Sequence, residues 1–172
     1  MSIGYSRQWQ PHVGSLYKLN FDVAIFSDFS AFGVGVVIRN GSGQVMAALL
    51  SKGPTVMDSE EAKIMACRQA LEFVIDSSFA DLVVEGDNSN VMRSISQSQS
   101  DWSHLGNLYD DVRCLAERLR FVEFHCIRRT ANGVVHSLAR FTRHICEDCI
   151  WLEESPPLAQ EALFVDSVSL VF

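Results

Sequence analysis

Residues Tyr17–Ile25 read Tyr-Lys-Leu-Asn-Phe-Asp-Val-Ala-Ile and alternate with the two-residue period of a β-strand. One face of this predicted strand is bulky and apolar, whereas the other is small or polar and carries one carboxylate, Asp22. A carboxylate inside a central strand is costly to bury unless it is paired, hydrogen-bonded or bound to a metal. Two interpretations are open: Asp22 lies in water on an edge strand, or it is a metal ligand. The second requires partners elsewhere in the chain.

The composition is that of a globular protein, with 172 residues of which 48% are hydrophobic and 20% charged. The formal net charge is −7, so nucleic-acid binding would depend on a local basic patch. No apolar run approaches the roughly 20 residues of a membrane span, and residues 1–14 lack the apolar core of a signal peptide. We therefore expect an intracellular protein of the cytoplasm or nucleus, without membrane contact, whose five cysteines are thiols.

Strand and helix patterns follow one another in the order β-β-β-α-β-α-α-β-α. The predicted strands are 17–25, 33–39, 44–50, 81–85 and 121–127, and the predicted helices are 59–77, 89–97, 105–119 and 131–143. Residues 1–15 are interpreted as an N-terminal arm and 16–143 as the domain. Residues 144–172 are interpreted as a C-terminal tail whose structure the sequence pattern does not determine. A hairpin meander followed by β-α-β units predicts an α/β fold, a five-stranded mixed sheet with helices on both faces.

A second carboxylate, Asp87, follows the short apolar strand at 81–85. Ligands gather at strand ends in such sheets, so Asp22 and Asp87 can reach one site if their strands are neighbours. Paired carboxylates suit Mg²⁺ or Mn²⁺, and two such ions about 4 Å apart support phosphodiester hydrolysis. Taken alone, Asp87 is equally well interpreted as a helix N-cap or turn residue.

A lysine falls on the buried side of the first predicted helix. The apolar stripe of this helix consists of Ala66, Cys67, Ala70, Leu71 and Val74. Extending the stripe backwards by one turn leads to Lys63, whereas Glu61 lies about 200° round the helix from it. An ammonium group is therefore expected on the side of the helix that faces the sheet.

Four segments, in this order, resemble the plant ribonuclease H-like domain family: Leu19–Asp22, Gly33–Arg39, Val84–Asp87 and Arg129–Ala139. The resemblance runs from about Trp9 to Thr142. It implies the type 1 ribonuclease H fold, which is often found in retroelement-derived proteins. It also implies a metal-dependent endonuclease that cuts RNA in RNA–DNA hybrids.

The resemblance further implies a site of four acidic positions, of which two match, at Asp22 and Asp87. The position of the family's helix Glu falls on Lys63, and the fourth position falls on His136, where the plant branch commonly has His. We therefore expect Asp22, Asp87 and His136 as metal ligands, Lys63 in place of the Glu, and weak binding of Mg²⁺ or Mn²⁺ at most. His136 can ligate Mn²⁺ or act as a general base but is a poor Mg²⁺ ligand. Its alternative interpretation is a helix-face His hydrogen-bonded to backbone or water.

Nucleic-acid contact is predicted just before the last helix, where Arg128 and Arg129 form the best local basic pair. Asn132, in the same resembling segment, is a third candidate. The alternative interpretation of the arginine pair is a solvated strand end.

Three functions remain open from the sequence. The first is an active nuclease, and the second is a module with a damaged site that binds RNA–DNA hybrid or duplex RNA. The third is a protein-interaction domain that keeps only the scaffold. The acidic net charge and Lys63 argue against efficient cleavage. Asp22 and Asp87 argue that the site has not been wholly dismantled.

Overall fold

A computed structural model describes residues 8–12, 14–28, 30–54, 58–97 and 105–169, so most of the predicted arm lies outside the described residues. The described chain forms one mixed sheet with helices on both faces. The strands are β1 Tyr17–Phe26, β2 Ala31–Arg39, β3 Val45–Gly53, β4 Asp81–Gly86, β5 Phe121–Cys126 and β6 Cys149–Leu152. The α-helices are α1 Ser59–Asp76, α2 Ser89–Ser96, α3 Gly106–Glu117, α4 Gly133–Phe141 and α5 Gln160–Ser169. Single 3₁₀ turns cover Arg129–Asn132, Thr142–His144 and Pro157–Ala159.

β1 lies in the interior of the sheet, because the strand order is β5-β4-β1-β2-β3-β6. β1 pairs antiparallel with β2 and parallel with β4. This arrangement covers the polar face of β1 as well as its apolar face, so that Asn20 and Asp22 are buried. The edge-strand interpretation of Asp22 is therefore wrong.

The sheet has six strands, and the prediction of five was wrong in this detail. The additional strand, β6, pairs antiparallel with β3 and comes from the segment whose structure the sequence left open. Four residues are too few to display a convincing alternation, which explains why the sequence pattern does not reveal it. Pairing with β6 satisfies an edge of β3 that would otherwise present unpaired backbone groups.

Two apolar cores lie on opposite faces of the sheet. The larger packs α1, α2 and α3 against one face, and the smaller packs α4 and α5 against the other. Among the described residues, the helices are all too short or too polar to cross a bilayer.

Close approach of α4 to the sheet depends on Gly35, which lies directly opposite Asp22 on β2. A Cβ atom at Gly35 would come within 2.6 Å of the Val135 carbonyl oxygen and 2.7 Å of the Ala139 nitrogen. Both are backbone atoms, so the helix itself would have to move.

We expect Gly35→Ala to lower the free energy of unfolding by about 1–3 kcal/mol, as overpacking of a filled interior does. Gly133→Ala is the matched control, because Gly133 has helical dihedral angles and nothing within 4 Å of its added Cβ. The control should raise stability by about 0.4–1 kcal/mol. Urea unfolding measures both, and equal effects of the two changes would contradict the tight packing of α4 on β2.

Candidate active site

Asp22 lies in the middle of β1 with its side chain on the face covered by α4. Only 4% of the residue is exposed. Its Oδ1 accepts a hydrogen bond of 2.8 Å from the Val23 amide, and its Oδ2 lies 3.0 Å from Nδ1 of His136 on α4. The structure therefore brings together two of the residues that the sequence placed in one site.

Asp87 follows directly after β4, where the chain turns into α2. The N-cap of α2 is Asn88, whose side chain accepts from the Val91 amide at 2.9 Å. Asp87 is thus not the capping residue, and its Oδ1 instead accepts from Nζ of Lys63 at 3.0 Å. Its Oδ2 is buried and has no hydrogen-bond partner among the described residues.

Lys63 projects from the first turns of α1 toward the end of β4. The helix starts at Ser59 behind an N-cap at Asp58, and its buried positions include the whole predicted apolar stripe. The Lys63 side chain is 21% exposed, so its ammonium group is partly screened from water. Glu60 points to a different neighbour, because its carboxylate accepts a hydrogen bond of 2.7 Å from the Tyr109 hydroxyl on α3.

Asp22, Lys63 and Asp87 line one small cavity together with Phe21 and Val91. Its volume is about 10 Å³, roughly the space that one water molecule requires. The three charged groups consequently share one confined environment.

Electrostatic interactions in this cavity raise the pKa of Asp22 above its usual value. The largest cause is burial, followed by repulsion from Asp87. The Val23 amide, His136 and Lys63 each lower the same pKa but do not cancel the increase. Burial thus outweighs the stabilisation of the Asp22 carboxylate by Lys63 and His136.

The side chains present do not match the donor set of a pair of divalent ions. Among the described residues, no group of three or more His, Cys, Asp or Glu side chains is arranged to hold a metal ion. Mg²⁺ takes six oxygen ligands in nearly ideal octahedral geometry, and an ammonium group supplies charge but no ligand. Asp22 and Asp87 thus provide two carboxylates, and Lys63 forms an ion pair with Asp87 instead of supplying a further ligand.

Arg128 and Arg129 are exposed at the entrance to the 3₁₀ turn that precedes α4. Asn132 is different, because only 1% of it is exposed. Its Nδ2 donates to the Phe21 carbonyl at 3.0 Å, and its Oδ1 accepts from Nδ2 of Asn20 at 3.1 Å. This position does not suit contact with nucleic acid, and the side chain instead ties α4 to β1.

A buried polar cluster lies beside the site, and the sequence patterns alone did not indicate it. Asn20 donates to Oε1 of Glu85 at 3.1 Å and accepts from Nε1 of Trp9 at 3.0 Å. Lys18 donates to the other Glu85 oxygen at 3.1 Å. The pairing register of β1 and β4 predicts this cluster, because Asn20 lies directly opposite Glu85 when the two strands are paired.

Comparison with known proteins agrees with this architecture. The family described as "Reverse transcriptase-like" matches residues 20–142. No curated protein matches the chain. The fold is similar to that of ribonuclease H1 from the halophilic archaeon Halobacterium salinarum NRC-1, with 21% identity, coverage of 74% of this chain and 96% of that chain, and a TM-score of 0.68.

Two further solved structures have the same fold. The N-terminal ribonuclease H domain of a Mycobacterium tuberculosis protein, studied as a fusion with maltose-binding protein, is 17% identical over 75% of this chain and 94% of that chain, with a TM-score of 0.65. Ribonuclease H1 LC11, isolated from compost, is 18% identical over 75% of this chain and 96% of that chain, with a TM-score of 0.65. The chain therefore belongs to the reverse transcriptase-like family and has a ribonuclease H-like fold.

Proposed function

We propose that the protein is a ribonuclease H-type domain that binds RNA–DNA hybrid or duplex RNA and cleaves it poorly or not at all. The observation that carries the proposal is the ion pair of 3.0 Å between Nζ of Lys63 and Oδ1 of Asp87. It places an ammonium group among the carboxylates on which metal-dependent hydrolysis would rely.

The charge of the site supports weak metal binding. Lys63 offsets part of the repulsion between Asp22 and Asp87, which a divalent ion would otherwise have to do. A metal would compete with this internal cation and find two carboxylates and His136, which suits Mn²⁺ better than Mg²⁺. We therefore infer that Mg²⁺ or Mn²⁺ binds feebly and that His136 and Asp22 form a structural hydrogen bond.

The test is cleavage of a labelled RNA–DNA hybrid in Mg²⁺ and, separately, in Mn²⁺. We expect the wild-type cleavage rate to equal that of Asp22→Asn, because the carboxylate site does not contribute to any cleavage that is observed. Efficient wild-type cleavage that Asp22→Asn abolishes would overturn the proposal and identify an active nuclease.

Nucleic-acid binding is proposed to use the exposed pair Arg128 and Arg129. Each phosphate contact contributes about one unit to the slope of log K against log salt concentration. The double variant Arg128→Ala with Arg129→Ala should therefore reduce that slope by about two units for a hybrid duplex, as measured by fluorescence anisotropy. The control is Arg118→Ala, which removes a single exposed arginine at the end of α3. Equal slopes for the double variant and wild type would place the binding surface elsewhere.

A protein-interaction role is the second candidate. A large groove that shares no lining residue with the site around Asp22 favours it.

A further inference from the structure

A groove of about 660 Å³ lies between the β2–β3 turn and α5. This volume falls within the range of about 300–1,000 Å³ typical of ligand sites. Four separate segments of the chain line it, namely the lead-in to β1, the β2–β3 hairpin, the turn after β6, and α5.

Much of the groove is outside the part of the chain that matches the family. The family match covers residues 20–142, whereas Trp9, Glu153, Glu154 and the lining residues of α5 lie beyond it. The groove is therefore built largely from residues outside the family match.

The floor of the groove contains a buried ion pair. Arg39 is 1% exposed, and its Nη1 donates to Oδ2 of Asp166 at 2.7 Å. Its guanidinium stacks on the Trp9 ring at 3.6 Å from the centroid, while its Nε has no hydrogen-bond partner among the described residues. Burial lowers the pKa of Arg39 and raises the pKa of Asp166, and the attraction between the two opposes both shifts.

Two further carboxylates on the wall of the groove have no ion-pair partner in the part of the chain that the structure describes. Glu153 and Glu154 are exposed lining residues. The backbone of Glu153 is left-handed, with φ of 59°, and its amide donates to the Met46 carbonyl at 2.8 Å. Such backbone strain in a residue without glycine's freedom occurs preferentially at functional positions. The wall of the groove therefore presents two carboxylates, and a hydrogen bond holds the backbone at Glu153 in place.

An apolar lip completes the groove. Phe164 is 67% exposed on α5, and Leu163 and Met46 line the space beneath it. Exposed aromatic side chains next to a concave surface are typical anchors for a partner.

We propose that this groove binds a basic, partly apolar peptide segment of a partner protein. A Lys or Arg side chain of the partner pairs with Glu153 and Glu154, and an apolar side chain packs against Phe164. The complementarity is one of charge, since Glu153 and Glu154 have no ion-pair partner among the described residues and the protein has a net charge of −7. The proposal is independent of the function proposed for the site around Asp22.

The experiment measures binding of a short fluorescein-labelled peptide of alternating lysine and leucine to the full chain at physiological salt, by fluorescence anisotropy. Glu153→Gln with Glu154→Gln should weaken binding about tenfold, and so should Phe164→Ala. The control Asp76→Asn with Glu117→Gln changes the net charge equally at exposed positions outside the groove. Val165→Ala is the control for Phe164, because Val165 is 52% exposed and does not line the groove.

Two results would overturn the proposal. One is equal peptide affinity for the groove variants and their controls. The other is a labelled single-stranded RNA, or a glutamate–leucine peptide, that binds as tightly as the lysine–leucine peptide and responds to the same variants. Thermal unfolding checks that the variants are folded. If Phe164→Ala is unstable, peptide binding by the double variant Glu153→Gln with Glu154→Gln tests the proposal. Binding of an RNA–DNA hybrid should be unchanged in the groove variants, which separates this proposal from the one on Arg128 and Arg129.

Discussion

Asp166→Ala should lower the free energy of unfolding by about 3–5 kcal/mol, because it leaves the Arg39 charge buried without its partner. The pair joins β2 to α5, and both side chains are almost fully removed from water. Urea unfolding measures the change without the screening that a denaturing salt would introduce.

Two controls distinguish a buried charge from a lost contact. Arg39→Met combined with Asp166→Leu should recover most of the stability, since apolar replacement of a buried pair is often neutral or stabilising. Glu72→Ala removes one partner of the exposed pair with Arg68 and should cost only about 0.3–0.5 kcal/mol. A loss for Asp166→Ala no larger than that for Glu72→Ala would show that Arg39 is satisfied in another way.

Lys63→Glu is expected to destabilise the metal-free protein by about 3 kcal/mol, because three carboxylates would then share one site without a cation. The same change supplies the missing oxygen ligand, so Mg²⁺ or Mn²⁺ should bind more tightly. A ligand at 100 times its Kd adds about 2.7 kcal/mol, so saturating metal should restore most of the loss. Thermal and urea unfolding in chelator, Mg²⁺ and Mn²⁺ provide the comparison.

Lys63→Gln is the matched variant, since it removes the ammonium group without adding a carboxylate. It should lose stability in chelator and gain much less from metal than Lys63→Glu. Recovered hybrid cleavage in Lys63→Glu should disappear when Asp22→Asn is added. A wild-type protein that gains as much from Mg²⁺ as Lys63→Glu does would contradict the idea that Lys63 neutralises the site.

The sequence predicts the sheet well where strands show a clear alternation or an uninterrupted apolar run. The alternation of β1 and the apolar run of β4 identify two neighbouring strands, and the comparison with known structures confirms the fold. The three-and-four spacing in α1 predicts that Lys63 lies on the buried side of the helix, and the structure places its Nζ 3.0 Å from Oδ1 of Asp87.

Other features depend on contacts that no local pattern contains. Asn132 was predicted to contact nucleic acid as part of the segment that carries the family resemblance, yet its amide forms hydrogen bonds with β1. The Arg39–Asp166 pair joins residues 127 positions apart, and only the folded chain reveals it. The hydrogen bond from Trp9 to Asn20 likewise requires knowledge of how the lead-in crosses the sheet.

The Arg39–Asp166 pair also determines how the chain can be shortened. A fragment trimmed at both ends to the family region, residues 20–142, would lose Trp9 at one end and β6 and Asp166 at the other. Arg39 would lose its ion pair with Asp166 and its stacking on Trp9, and β3 would expose a bare edge on which other chains can pair. Such a fragment is expected to aggregate, so protein production should retain the residues from Trp9 through α5.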